Sequence, residues 1–204
     1  MTGAAAEPAT EPAAEPAAEP AAEPADRAGG GPSLVIDLPT AADTRALGRR
    51  LASLTRAGDL LILSGDLGAG KTTLVQGLGE GLGVRGRVSS PTFVIARHHP
   101  PAGARPGLLH VDAYRLESLS QLDDLDLDAE LEDVVTAVEW GSGLAERLAA
   151  DRLEIRIDRP RGTGAAPADG LAGEDVQFDE ARRAELRGAG PRWRGLGDWA
   201  PGPA

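Results

Sequence analysis

Leu60-Leu61-Ile62-Leu63 runs through Ser64 into Gly65-Asp66-Leu67-Gly68-Ala69-Gly70-Lys71-Thr72-Thr73, and Leu74, Val75, Leu78 and Leu82 follow at helical spacing. Consecutive apolar residues without alternation describe a strand buried on both faces, so this one belongs in the middle of a sheet. The glycine-rich stretch satisfies G-x-x-x-x-G-K-[ST] between a strand and a helix, the context in which the pattern has mechanical meaning. Gly65, Gly68 and Gly70 let the backbone turn where larger residues cannot. Successive N–H groups then point at a phosphate, and the helix aims its positive end at the same anion. Lys71 brings a charge for the β- and γ-phosphates, and the Thr72 hydroxyl is placed to ligate Mg2+. Every other basic residue besides histidine is arginine; a turn that merely joined strand to helix would not need the single lysine.

On either side the pattern alternates. Leu34 to Leu38 reads as a short strand, and Pro39-Thr40 opens a helix with Thr40 as N-cap, Asp43 in its first turn and Leu47, Leu51 and Leu54 on one face. Strands are expected at Thr92 to Ala96, Leu108 to Val111, Val134 to Val138 and Leu153 to Ile157, with helices at Ser118 to Leu131 and Leu144 to Ala149. This is the pattern of an α/β domain, a three-layer phosphate-loop NTPase-like fold with a largely parallel central sheet. It spans residues 34–158. Before it, residues 1–33 carry a Glu-Pro-Ala-Ala repeat whose prolines block any continuous helix, expected as a disordered acidic arm. After it, residues 159–204 turn rich in Gly, Pro, Ala and Arg. They are expected as a loose tail with edge strands at most at Val176 to Phe178 and Arg183 to Leu186, and with Trp193 and Trp199 packing its end onto the domain.

Two apolar strands end in acids that the loop chemistry needs. Leu108-Leu109-His110-Val111-Asp112 and Thr136-Ala137-Val138-Glu139-Trp140 both place a carboxylate at a strand's carboxyl end, where an open α/β sheet gathers its ligand. Asp112 is assigned to metal and water positioning and Glu139 to the metal shell or the attacking water, and the two labels are interchangeable at this stage. A carboxylate is a weak base for water, so ligation or water orientation outranks full proton abstraction. Ser90-Pro91-Thr92-Phe93 lies a helix after the loop, where Thr92 either senses the nucleotide state or simply starts a strand; both readings stand. His98-His99 sits among Pro and Gly and is expected to be solvent-exposed, without a metal role. Asp123, Asp124, Asp126, Asp128 and Glu130 read as a solvated acidic face.

Composition narrows the rest. The 204 residues contain no Cys, which removes disulfides, thiolate zinc sites and cysteine nucleophiles. No apolar run approaches the ~20 residues of a membrane helix, and the amino terminus lacks a signal-peptide pattern, so a cytoplasmic protein is expected. The chain lacks Asn, and its lysine is already in the loop. The Asn/Thr-Lys-x-Asp motif that reads guanine therefore cannot occur.

Together, GDLGAGKTT from Gly65, SPTF from Ser90, HVDAYRL from His110 and VEWG from Val138 resemble the TsaE family, in order and in spacing, over roughly Leu34 to Ile157. The resemblance implies a slow ATPase that binds ATP or ADP with Mg2+. It also implies action with the TsaD–TsaB pair in forming threonylcarbamoyladenosine in tRNA. It puts phosphate binding on Gly65, Asp66, Leu67, Gly68, Ala69, Gly70, Lys71, Thr72 and Thr73, and Mg2+ on Thr72 and Glu139. Asp112 takes a catalytic or nucleotide-contacting role, Thr92 a switch-like role, and Trp140 and Thr44 places near the nucleotide. Ala113 and Asp126 depart from the family pattern without touching the phosphate chemistry. The runner-up function is a small-molecule kinase, which would need an acceptor pocket and usually an arginine-bearing lid.

The net charge of −11 opposes direct binding of a phosphate backbone. Contact with tRNA is therefore expected to be indirect, through partners. In a filter-binding assay the isolated protein should hold tRNA only weakly; a tight, salt-sensitive complex would contradict this.

Overall fold

A computed structural model describes residues 31–90, 96–115, 131–159 and 181–199. Its seven strands are β1 (Ser33–Leu38), β2 (Leu60–Ser64), β3 (Ala96–His99), β4 (Gly107–Asp112), β5 (Val134–Glu139), β6 (Arg152–Asp158) and β7 (Arg182–Ala189), in the spatial order β1-β7-β6-β2-β5-β4-β3. The middle four, β6-β2-β5-β4, are mutually parallel, while β3, β7 and β1 join antiparallel. The expected α/β sheet is thus parallel where the strand carboxyl ends matter. As its unbroken apolar run requires, β2 lies between β5 and β6 with Leu60 to Leu63 all buried.

Both faces of the sheet carry apolar cores. Leu61, Leu63, Val135, Ala137 and Ile155 meet helices α1 (Ala41–Leu54) and α2 (Lys71–Leu82) on one side. Leu60, Ile62, Val111, Val134 and Val138 form the second cluster with Ala113 and Ala145. Thr40 caps α1 as expected: its hydroxyl accepts from Asp43 N at 3.1 Å, and the Asp43 carboxylate accepts from Thr40 N at 3.0 Å.

The two helices touch backbone to backbone. A β-carbon at Gly77 would overlap the Arg45 carbonyl, one at Gly48 the Leu74 carbonyl, and one at Gly81 would lie 2.6 Å from the Arg49 carbonyl. Over this contact Glu80 bridges Arg45 at 2.7 Å and Arg49 at 3.1 Å, and the Arg45 hydrogen bond holds its carboxyl below the ordinary range. These groups are largely exposed, so the bridges add little beside the close packing.

The carboxyl-terminal segment departs from expectation. Arg183 to Leu186 belong to β7, which lies inside the sheet between β1 and β6 and not at an edge. Its inward residues are Ala184, Leu186 and Gly188, alternating with arginines and Glu185, so it has little apolar signal of its own. A 3-10 helix, Pro191–Asp198, then returns to the core, where Trp193 is buried and Trp199 packs against it. Arg192 fixes this return with a forked bond to the buried Asp59, at 2.9 and 2.7 Å.

Smaller differences follow from local chemistry. In place of a helix at Leu144 to Ala149 there is a single 3-10 turn, Ala145–Arg147. His99, expected in a solvent-exposed loop, is buried in β3, while His98 stays exposed; burial, with His110 nearby, pushes the His99 pKa down. Of the strand expected at Thr92 to Ala96, Thr92 to Ile95 lie outside the described residues and Ala96 begins β3; Ser118 to Glu130, Val176 to Phe178 and the acidic repeat also lie outside them. Among the described residues no helix is long and apolar enough to cross a membrane.

Because backbone cannot yield as a flexible side chain can, Gly77→Ala should cost about 1–3 kcal/mol in urea unfolding. Gly103→Ala, with nothing near its β-carbon position, should stay within about 0.5 kcal/mol of the parent. Equal stabilities for the two variants would contradict the backbone contact.

Candidate phosphate-binding site

Register carries the site. Leu63 of β2 stands opposite Glu139 of β5, and Glu139 stands opposite Asp112 of β4, so loop and acids emerge together at the carboxyl ends of the parallel strands. Trp140 N donates to Leu63 O at 2.9 Å and ties the end of β5 to that of β2.

The loop holds its shape through glycine. Gly65 has φ 131°, and a β-carbon there would overlap the Ile157 carbonyl of β6. Gly70, at φ 110°, caps α2. Thr44 is fully buried; its hydroxyl donates to Thr40 O at 3.3 Å, and its methyl lies 3.4 Å from the β-carbon position of Gly70. It backs the loop and does not line the cavity.

Lys71 points into the loop. Its Nζ donates to the carbonyls of Gly65 at 2.7 Å and Asp66 at 2.9 Å, lies 3.5 Å from the centroid of a Trp140 ring, and leaves the residue only 4% exposed. Burial is the largest influence and lowers its pKa, against the pull of Glu139, Asp112 and Asp66. Trp140 reaches this position at φ 59°, the one left-handed non-glycine residue among those described. Such a conformation costs of order 1–3 kcal/mol and persists only where the surroundings impose it. Here the Leu63 bond, the lysine and the Tyr114 ring at 5.2 Å do so.

Thr72 Oγ1 lies 2.9 Å from both oxygens of the buried Glu139. Asp112 accepts from Tyr114 N at 3.2 Å, with Ser90 Oγ at 3.5 Å from its other oxygen. A cavity of about 360 Å³ opens here, lined among others by Thr72, Thr73, Asp112, Tyr114, Glu139 and Trp140. Leu67 stands 84% exposed at its rim, and Ala69 is buried under the loop. Of the residues singled out in the sequence, Gly65 to Thr73, Asp112, Glu139 and Trp140 come together, and Thr92 lies outside the described residues.

Sequence reasoning passed over His110 and Tyr114. His110 Nε2 lies 2.8 Å from Glu139 Oε1, with the ring wholly buried. A lone histidine inside the apolar strand Leu108-Leu109-His110-Val111 was the available signal, since a polar ring there must find a partner. Arg159, just beyond β6, donates to the Gly68 carbonyl from outside the loop.

A family described as "Threonylcarbamoyl adenosine biosynthesis protein TsaE" matches residues 38–164. The "tRNA threonylcarbamoyladenosine biosynthesis protein TsaE" of Streptomyces coelicolor is 58% identical over 150 residues, covering 73% of this chain and 93% of its own length. The protein of that name in Mycobacterium tuberculosis strain H37Rv is 50% identical over 129 residues, 60% of this chain and 77% of its own. The crystal structure titled "Bacillus subtilus YdiB" superposes with a TM-score of 0.59 at 29% identity, covering 81% of this chain and 92% of that one.

The lowered Lys71 pKa has a pH signature. Below its folded value the folded state bears the burial penalty in full, and between that value and the ordinary 10.5 the penalty is progressively relieved. As the pH is raised toward 10.5, urea midpoints should therefore rise for the parent relative to Lys71→Met; parallel profiles would contradict the burial of the charge.

Proposed function

This chain belongs to the TsaE family, and on that footing we propose that it is an ATP-binding, ATP-hydrolysing subunit for threonylcarbamoyladenosine formation in tRNA, acting as a nucleotide-driven switch on a TsaD–TsaB complex in the cytoplasm. The observation that carries the reading is the convergence of Lys71, Thr72 and Glu139 beside a glycine cradle. The family membership does not favour the small-molecule kinase alternative.

The donors fit a magnesium nucleotide. Thr72 and Glu139, with Asp112 beside them, offer only hard oxygens, and Mg2+ is commonly held by one or two carboxylates together with substrate phosphates. When bound, the cation supplies charge neutralisation at the phosphates. The loop N–H groups and the amino end of α2 receive the phosphates, and Lys71 exchanges its two carbonyl acceptors for phosphate oxygens. Glu139, already on the Thr72 hydroxyl, is the better-placed metal ligand. That leaves Asp112 to orient the attacking water, a division the sequence left open. Trp140, its ring 3.5 Å from Lys71 Nζ, and Tyr114, its ring 5.2 Å from that of Trp140, line the cavity. Recognition of tRNA falls to the partners.

Hydrolysis of ATP and GTP should be followed for the purified protein alone and with TsaD–TsaB, against Lys71→Ala. Mg2+-dependent ATP hydrolysis that the partners stimulate, and that the substitution lowers by about 100-fold or more, is expected. Indifference to the partners, together with acceleration by a small metabolite, would overturn the switch reading in favour of a kinase.

A further inference from the structure

His110 is a buried polar side chain hydrogen-bonded to a site carboxylate, and the function above does not use it. It lies in β4 opposite Ala137, which makes it the diagonal neighbour of Glu139 on the same face of the sheet. Its ring is fully buried, and Nε2 lies 2.8 Å from Glu139 Oε1. Nδ1 has no hydrogen-bond partner among the described residues. A carboxylate oxygen only accepts, so Nε2 carries the proton in this pair. An apolar residue would fill the same space without the cost of a bare buried nitrogen, which is of order 1–3 kcal/mol. The ring is therefore poorly explained as packing alone.

The bond breaks the symmetry of the Glu139 carboxylate. Thr72 Oγ1 lies 2.9 Å from both oxygens, and its single proton cannot fully serve both. His110 adds a second donor to Oε1 only. Oε2 is left as the oxygen with spare lone-pair capacity.

We propose that His110 is a positioning residue: by pinning Oε1 it fixes the rotation of the Glu139 carboxylate and presents Oε2 to the cation that accompanies the nucleotide. The proposal rests on the magnesium-nucleotide reading of the site. It predicts an effect confined to the metal-dependent part of binding, because among the described residues the His110 ring hydrogen-bonds to Glu139 and to neither the loop nor Lys71's acceptors.

The test is titration of the full chain with a fluorescent ADP analogue, with and without Mg2+. In the parent, Mg2+ should tighten binding. In His110→Phe the Mg2+ concentration for half-effect should rise about tenfold or more, the usual consequence of removing a residue that orients a metal ligand. Affinity without Mg2+ should stay within about twofold of the parent. His110→Gln, which restores a donor, should recover part of the loss. An unchanged Mg2+ dependence in folded His110→Phe, or equal losses with and without Mg2+, would overturn the positioning role while leaving the metal reading intact. A parent that binds ADP with no response to Mg2+ would overturn the metal reading and this proposal together. Should His110→Phe fail to fold, imidazole nitrogen NMR of the parent decides: a proton on Nε2 is expected, and an Nδ1–H tautomer would overturn the assignment.

Discussion

A buried ammonium group organises this molecule. Lys71 is held away from water, and two carbonyls, an indole face and nearby carboxylates offset the cost. Those groups arrive from separate stretches of the chain: the loop at Gly65 and Asp66, the end of β5 at Glu139 and Trp140, and the end of β4 at Asp112. The carbonyls of Gly65 and Asp66 turn inward because the loop adopts glycine-only angles. The indole arrives because Trp140 accepts a left-handed backbone, and Glu139 arrives because β5 ends level with β2. A charge that is costly to bury but surrounded by exchangeable acceptors is poised to accept a phosphate in their place.

The remainder of the fold keeps that arrangement stiff. The first residue of α2 is the lysine itself, so any movement of the helix moves the charge. Backbone contact at Gly48, Gly77 and Gly81 locks α2 to α1, and buried Thr44 of α1 supports the loop at Gly70. On the other side of β2, β6 backs Gly65, and β6 is in turn held by β7. The forked Arg192 to Asp59 pair fastens the end of this antiparallel flank to the turn entering β2.

Features written in contiguous residues were legible in the sequence. The loop, the central position of β2, the Thr40 cap and the acids ending β4 and β5 each depend on local pattern and strand polarity. Features written in distant pairs were not. Nothing near Arg192 announces Asp59, and His110 meets Glu139 only through the register of β4 against β5. The β7 strand was misjudged because its inward positions include only Leu186 as a large apolar residue beside Ala184 and Gly188, so alternation showed only a weak apolar face, and its place inside the sheet is set by β1 and β6. Two chemical roles left interchangeable, those of Asp112 and Glu139, acquired different surroundings once Thr72 and His110 were placed beside one of them.

The most direct test is a crystal structure with a non-hydrolysable ATP analogue and Mg2+. The account predicts that Lys71 Nζ leaves the Gly65 and Asp66 carbonyls for phosphate oxygens while Trp140 keeps its left-handed backbone. Phosphates lodged in the loop with Lys71 still on both carbonyls, or a nucleotide bound away from the loop, would contradict it.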